Sequence, residues 1–166
     1  MRKIFIVIVY LVLLGISQNV PAQSPQGKGF GFGIMIGDPT GVTLKLWTQR
    51  GNAFVFDLGS SYFGSPRLDV DYLWHFNAFH SSIVNLYAGP GAVIGFGTGH
   101  GFFYKEKNGF YVRTEGSGLG VRGVLGVNII PRETPLEIFF GVGLLVGLSP
   151  DFGSAVDAAL GLRFYP

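Results

Sequence analysis

Three groups of residues have types and spacings that could do chemistry. Asp69, Asp71 and His75 bring two carboxylates and an imidazole within seven residues, a set of metal-ligating types. His80-Ser81-Ser82 contains a His-x-Ser pair, the base and nucleophile of a hydrolase. Gly118-Leu-Gly120-Val-Arg-Gly123 spells the dinucleotide fingerprint by letters. Each needs a structural frame before it can act. A dinucleotide site needs a strand followed by a helix whose N-terminus receives the pyrophosphate, and no helical periodicity follows Gly123. A hydrolase needs an orienting acid beside its base and nucleophile, and none accompanies His80 and Ser82 locally. Along a strand, Asp71 and His75 would lie about 13 Å apart at roughly 3.3 Å per residue. They could not share an ion at ligand distances of about 2 to 2.5 Å.

The frame itself is legible between Arg67 and Phe76. Leu68, Val70, Tyr72, Trp74 and Phe76 alternate with Arg67, Asp69, Asp71, Leu73 and His75. Only Leu73 breaks the rule. A period of two over ten residues marks a β-strand with one apolar and one charged face. Seven further segments follow the pattern. They contain Phe30 to Ile36, Val42 to Thr48, Phe54 to Gly59, Val84 to Gly95, Gly116 to Asn128, Leu136 to Gly147 and Val156 to Phe164.

Turn chemistry separates these segments. Gly37-Asp38-Pro39-Thr40-Gly41 is a tight-turn sequence, because proline presets φ and glycine permits φ > 0. Arg50 to Asn52, Asn77 to Ser82 and Pro131 to Pro135 make further connections. Lys105-Glu106-Lys107-Asn108-Gly109 reads as a hairpin tip, since Asn-Gly is the strongest short turn signal. Phe102 to Tyr104 and Phe110 to Val112 are expected to extend the flanking strands beyond the barrel wall.

The expected fold is all-β, an eight-stranded antiparallel up-and-down transmembrane β-barrel. Residues 1–22 read as a cleaved signal peptide: Arg2 and Lys3 start it, Ile4 to Leu14 form its apolar core, and Val20-Pro21-Ala22 precedes the expected cut. The apolar run falls short of the roughly 20 residues a membrane helix needs. Residues 23–166 are the barrel domain. Of 12 Lys plus Arg, two leave with the signal, so 10 face 10 Asp plus Glu. A net charge of zero does not support a nucleic-acid surface. The absence of cysteine excludes disulfides and thiolate metal sites. Charged residues make up 13% of the chain and glycines number 27. Soluble chains carry about 25% charged residues, whereas a lipid-facing wall needs little charge. In lipid the sheet must close, because an open edge would leave backbone groups unpaired.

In this reading the polar face looks inward. Lys45, Asp57, Asp69, Asp71, His75, Arg122, Glu137, Asp157 and Arg163 are expected to form a structural, paired network filling the lumen, since eight strands enclose an interior just wide enough for side chains. Phe30, Trp47, Phe54, Tyr62, Trp74, Phe76, Tyr104, Phe110, Phe164 and Tyr165 fall near strand ends, as interfacial girdles do. With both ends periplasmic, residues 96–114 become the longest exterior excursion and the expected surface for an extracellular partner.

Length, leader and eight alternating segments resemble the small OmpX/OmpA-type barrels of the bacterial outer membrane. Gly37-Asp-Pro-Thr-Gly41 with Lys45 and Trp47, Asp71-Tyr-Leu-Trp-His75 and Pro135-Leu136-Glu137 are similar to an uncharacterised group of secreted bacterial barrels. One departure is that the chain ends Phe164-Tyr165-Pro166, where such barrels usually end on an aromatic residue. The resemblance implies outer-membrane lipid as surroundings, and secretion and barrel-assembly machinery as partners during biogenesis. It implies no activity; no catalytic residue, cofactor or metal is expected. Two other readings are a secreted lipocalin-like barrel, with Phe and Leu inside around an apolar ligand, and a lipid-modifying enzyme built on His80 and Ser82.

Overall fold

The computed structural model describes residues 27–49, 51–99, 116–150 and 152–166. The leader and its cleavage site, Arg50, the 105–109 hairpin, the strand extensions around it, and Tyr104 and Phe110 lie outside the described residues.

Eight strands form where the alternation predicts them: β1 (Phe30–Asp38), β2 (Thr40–Gln49), β3 (Asn52–Ser61), β4 (Gly64–Phe76), β5 (Val84–Gly95), β6 (Gly118–Ile129), β7 (Leu136–Ser149) and β8 (Gly153–Phe164). Each pairs antiparallel with its sequence neighbours, and β8 returns to β1 to close the barrel. Phe32 faces Phe164 and Gly33 faces Arg163 across that closing ladder. Closure removes every free sheet edge. The Gly-x-Gly-x-x-Gly letters lie within β6, which continues as a strand to Ile129.

The two faces separate sharply. Outward positions carry Phe, Leu, Ile and Val on all eight strands, from Ile34 (63% exposed) on β1 to Leu144 (60%) on β7. Inward positions hold the charged residues together with glycines. The glycines make room: a Cβ on Gly31 would meet the Tyr165 ring at 2.6 Å, and one on Gly126 or Gly161 would run into Tyr87 or Phe139. A narrow barrel can hold large lumen side chains only where facing wall positions are empty.

Two local features differ from a uniform wall. The β1–β2 link is tighter than a five-residue turn, because Asp38 and Thr40 both belong to strands and only Pro39 lies between them. The Thr40 hydroxyl donates to the Gly37 carbonyl at 2.7 Å and accepts from the Gly37 N–H at 3.0 Å, and Gly37 takes φ +130°. Beyond β8, the Tyr165 N–H donates to the Pro135 carbonyl at 2.8 Å, carrying the ladder one residue past the strand. Both ends of the described barrel and the links after β2, β4 and β6 share one rim, called basal here.

Candidate functional site: the charged lumen

The inward residues sort into layers along the barrel axis, an order that β4 shows directly. From the basal rim it points His75, Leu73, Asp71, Asp69 and Arg67 inward in turn.

The basal layer is built around Glu137 of β7. Lys45 of β2 donates to Oε1 at 2.6 Å, Asn128 of β6 at 2.7 Å and Arg163 of β8 at 3.5 Å. The Tyr165 hydroxyl donates to Oε2 and accepts from the Trp47 indole N–H at 3.1 Å. The Lys45 ammonium also donates to His75 Nε2 at 2.9 Å. An ammonium offers only donors, so that imidazole nitrogen accepts and Nδ1 donates to the Gly51 carbonyl at 3.2 Å. Arg163 spends its other donors on Thr43 Oγ1 at 2.8 and 3.0 Å and lays its guanidinium over the Phe139 ring at 3.7 Å.

Above it lies an apolar layer of Met35, Val55, Leu73, Tyr87 and Phe139. Leu73, the exception in the β4 alternation, belongs here: it faces inward and is 3% exposed.

The upper layer is organised by two arginines. Arg122 of β6 donates through Nε to Asp71 at 2.8 Å and through Nη2 to both Asp71 and Asp57, the latter at 3.3 Å. Its Nη1 lies 2.9 Å from Asp69 and 3.6 Å from Asp157. Arg67 of β4 donates to Asp69 at 2.8 Å, to Asp157 of β8 at 2.6 Å and to the Ser61 hydroxyl at 2.9 Å, with Asp38 of β1 3.7 Å away. Tyr62, Phe63, Val93, Leu145 and Ala155 pack over this layer at the far end.

All nine expected lumen residues are buried, and the structure brings them together as two groups. Asp69 and Asp71 meet Arg122 rather than Arg163, and His75 meets Lys45. The expected set omits Arg67 and Asp38. Arg67 sits on the charged face of the alternation and was legible there. Asp38 reads as a turn residue, and its burial follows from the shortness of the β1–β2 link. Among the aromatics, Phe30, Phe54, Trp74 and Phe164 face outward near the basal rim. Trp47, Tyr62 and Tyr165 do not. Tyr62 and Tyr165 are buried, and Trp47 turns to Tyr165, its ring tilted against that of His75 with centroids 4.4 Å apart.

The candidate hydrolase pair lies in the basal β4–β5 link. His80 and Ser82 are exposed there, and His80 takes φ 50°. Asn77 Oδ1 accepts the Ser81 N–H at 2.9 Å, and Ser81 Oγ accepts the N–H groups of Ile83 and Val84, an ordinary hydrogen-bonded turn. Asp71 and His75 fall in different layers. Among the described residues, no three His, Asp or Glu side chains are arranged to hold a metal ion.

Compared with known proteins, the sequence matches no family model and no curated protein.

Proposed function

We propose that this chain is a non-enzymatic outer-membrane β-barrel whose lumen is plugged by its own polar side chains, serving envelope integrity or surface interaction. The observation that carries the reading is the sorting of the two faces. Apolar side chains ring the outside of a closed barrel, while Lys45, Arg67, Arg122, Arg163 and six carboxylates are buried inside. Lipid accepts such a wall, and backbone pairing around the ring satisfies every strand within it. Strands of 9 to 14 residues are long enough, since about 9–11 tilted residues cross a bilayer. Residues 1–22 act as the export signal, the basal rim faces the periplasm, and residues 96–114 face outward to an extracellular partner. A lipocalin-like binder would need the opposite sorting, with Phe and Leu around an internal ligand.

Fractionation is the test. The chain is expected in the outer-membrane fraction, released only by detergent, migrating faster on gels when unheated than when boiled. Recovery from the soluble periplasm without detergent overturns the membrane reading. In planar bilayers the purified barrel is expected to pass no steady current, and open channels would overturn the plug.

A further inference from the structure

The lumen's charges do not balance. Asp38, Asp57, Asp69, Asp71, Glu137 and Asp157 face Lys45, Arg67, Arg122 and Arg163, an excess of two negative charges among the described residues. The basal layer holds one carboxylate for two of the cations, so the upper layer, with five carboxylates for two arginines, carries an excess of three. Buried charge is tolerated only when compensated.

That layer borders a cavity of about 40 Å³, where Asp38, Asp57, Asp71 and Asp157 line the polar side and Arg122 and Arg163 complete it. The volume exceeds the roughly 10–15 Å³ that one water needs. Two oxygens of its lining carboxylates accept no hydrogen bond: Asp38 Oδ1 and Asp57 Oδ1, on side chains 1% and 7% exposed. Asp38 Oδ1 lies 3.7 Å from the Arg67 guanidinium.

We propose that this cavity binds one small monovalent cation of the alkali type, held by the Asp38 and Asp57 carboxylates with water completing its shell. A divalent ion is a poor fit. It asks for six or more oxygen ligands or a strict octahedron, whereas no three carboxylates among the described residues are arranged to hold a metal ion and the remaining lining includes Met35, Val55, Leu73 and Phe139. One bound cation halves the lumen's net charge excess and supplies a partner for both free oxygens.

The inference rests on the plugged lumen proposed above, and its test separates the two. Thermal unfolding of the full chain in detergent micelles is followed at one pH and one ionic strength, in sodium, potassium or choline chloride. Choline's trimethylated head is too large for the cavity. The midpoint is expected to be about 5 °C higher in sodium or potassium than in choline, as selective binding to the folded state requires. Asp57→Asn and Asp38→Asn should each reduce that difference to about 1 °C or less. Equal midpoints in all three salts, in a barrel that passes no current, overturn the cation site and leave the plug standing. Retention of the full difference in both variants also overturns it. If Asp57→Asn does not fold, Asp38→Asn and the salt comparison on the unaltered chain still decide.

Discussion

The two charged layers of the lumen solve the same problem in opposite ways. In the basal layer one carboxylate, Glu137, gathers donors from Lys45, Asn128, Arg163 and Tyr165, so the anion is saturated and the cations have other acceptors. In the upper layer two guanidinium groups are divided among five carboxylates. A guanidinium has five donors in a planar fork, which allows Arg122 to reach four acids on β3, β4 and β8. The anion is the hub below, and the cation is the hub above. Removing a hub leaves the spokes that depend on it short of compensation at low dielectric. The layers should therefore fail at residues of opposite charge.

The largest effect is expected from Arg122→Met, which keeps the volume, strands Asp57 and Asp71 and leaves Asp69 and Asp157 to Arg67 alone. Breaking one buried pair costs about 3–5 kcal/mol, and with two acids stranded and two more sharing a single arginine the loss should reach about 5 kcal/mol in denaturant titration of the refolded barrel. Glu137→Gln should cost about 3 kcal/mol, because Lys45 and Arg163 stay buried while the amide oxygen still accepts one bond. An effect of Glu137→Gln larger than that of Arg122→Met would break the comparison. Tyr165→Phe removes one donor to a charged acceptor and should cost about 1.5–3 kcal/mol.

The finest test is the combination of Arg122→Met with Tyr165→Phe. Their hydrogen-bond and ion-pair partners do not overlap, and the apolar layer of Met35, Val55, Leu73, Tyr87 and Phe139 lies between them. Independent sites add to within about 0.5 kcal/mol, so a coupling energy above 1 kcal/mol would show that the layers act as one network.

How much of this was readable from the sequence depends on which distances set it. Faces are a local property, so the alternation placed Lys45, Asp57, His75, Glu137 and Arg163 inward without knowledge of any partner. Leu73 carried more information than its misfit suggested, since an apolar residue on the charged face marks the boundary between layers. The layers themselves depend on how far each strand is offset from the next around the closed ring. That offset determines that Arg122 meets Asp71 while Arg163 meets Glu137, and no local pattern encodes it. Tyr165 shows the limit well. Its position near the chain end suggested a girdle residue, but its odd-numbered place beside Arg163 put it on the inner face.

Glu137 also records something about the order of events. Its four donors come from β2, β6, β8 and the residue after β8, so strands from near both ends of the barrel must be present before its charge is fully accommodated. No intermediate containing only the first six or seven strands can offer the Arg163 and Tyr165 donors. The basal layer is thus a completeness check: a chain truncated a few residues early keeps most of its wall, yet leaves a buried anion short of donors at the point where the ring must join.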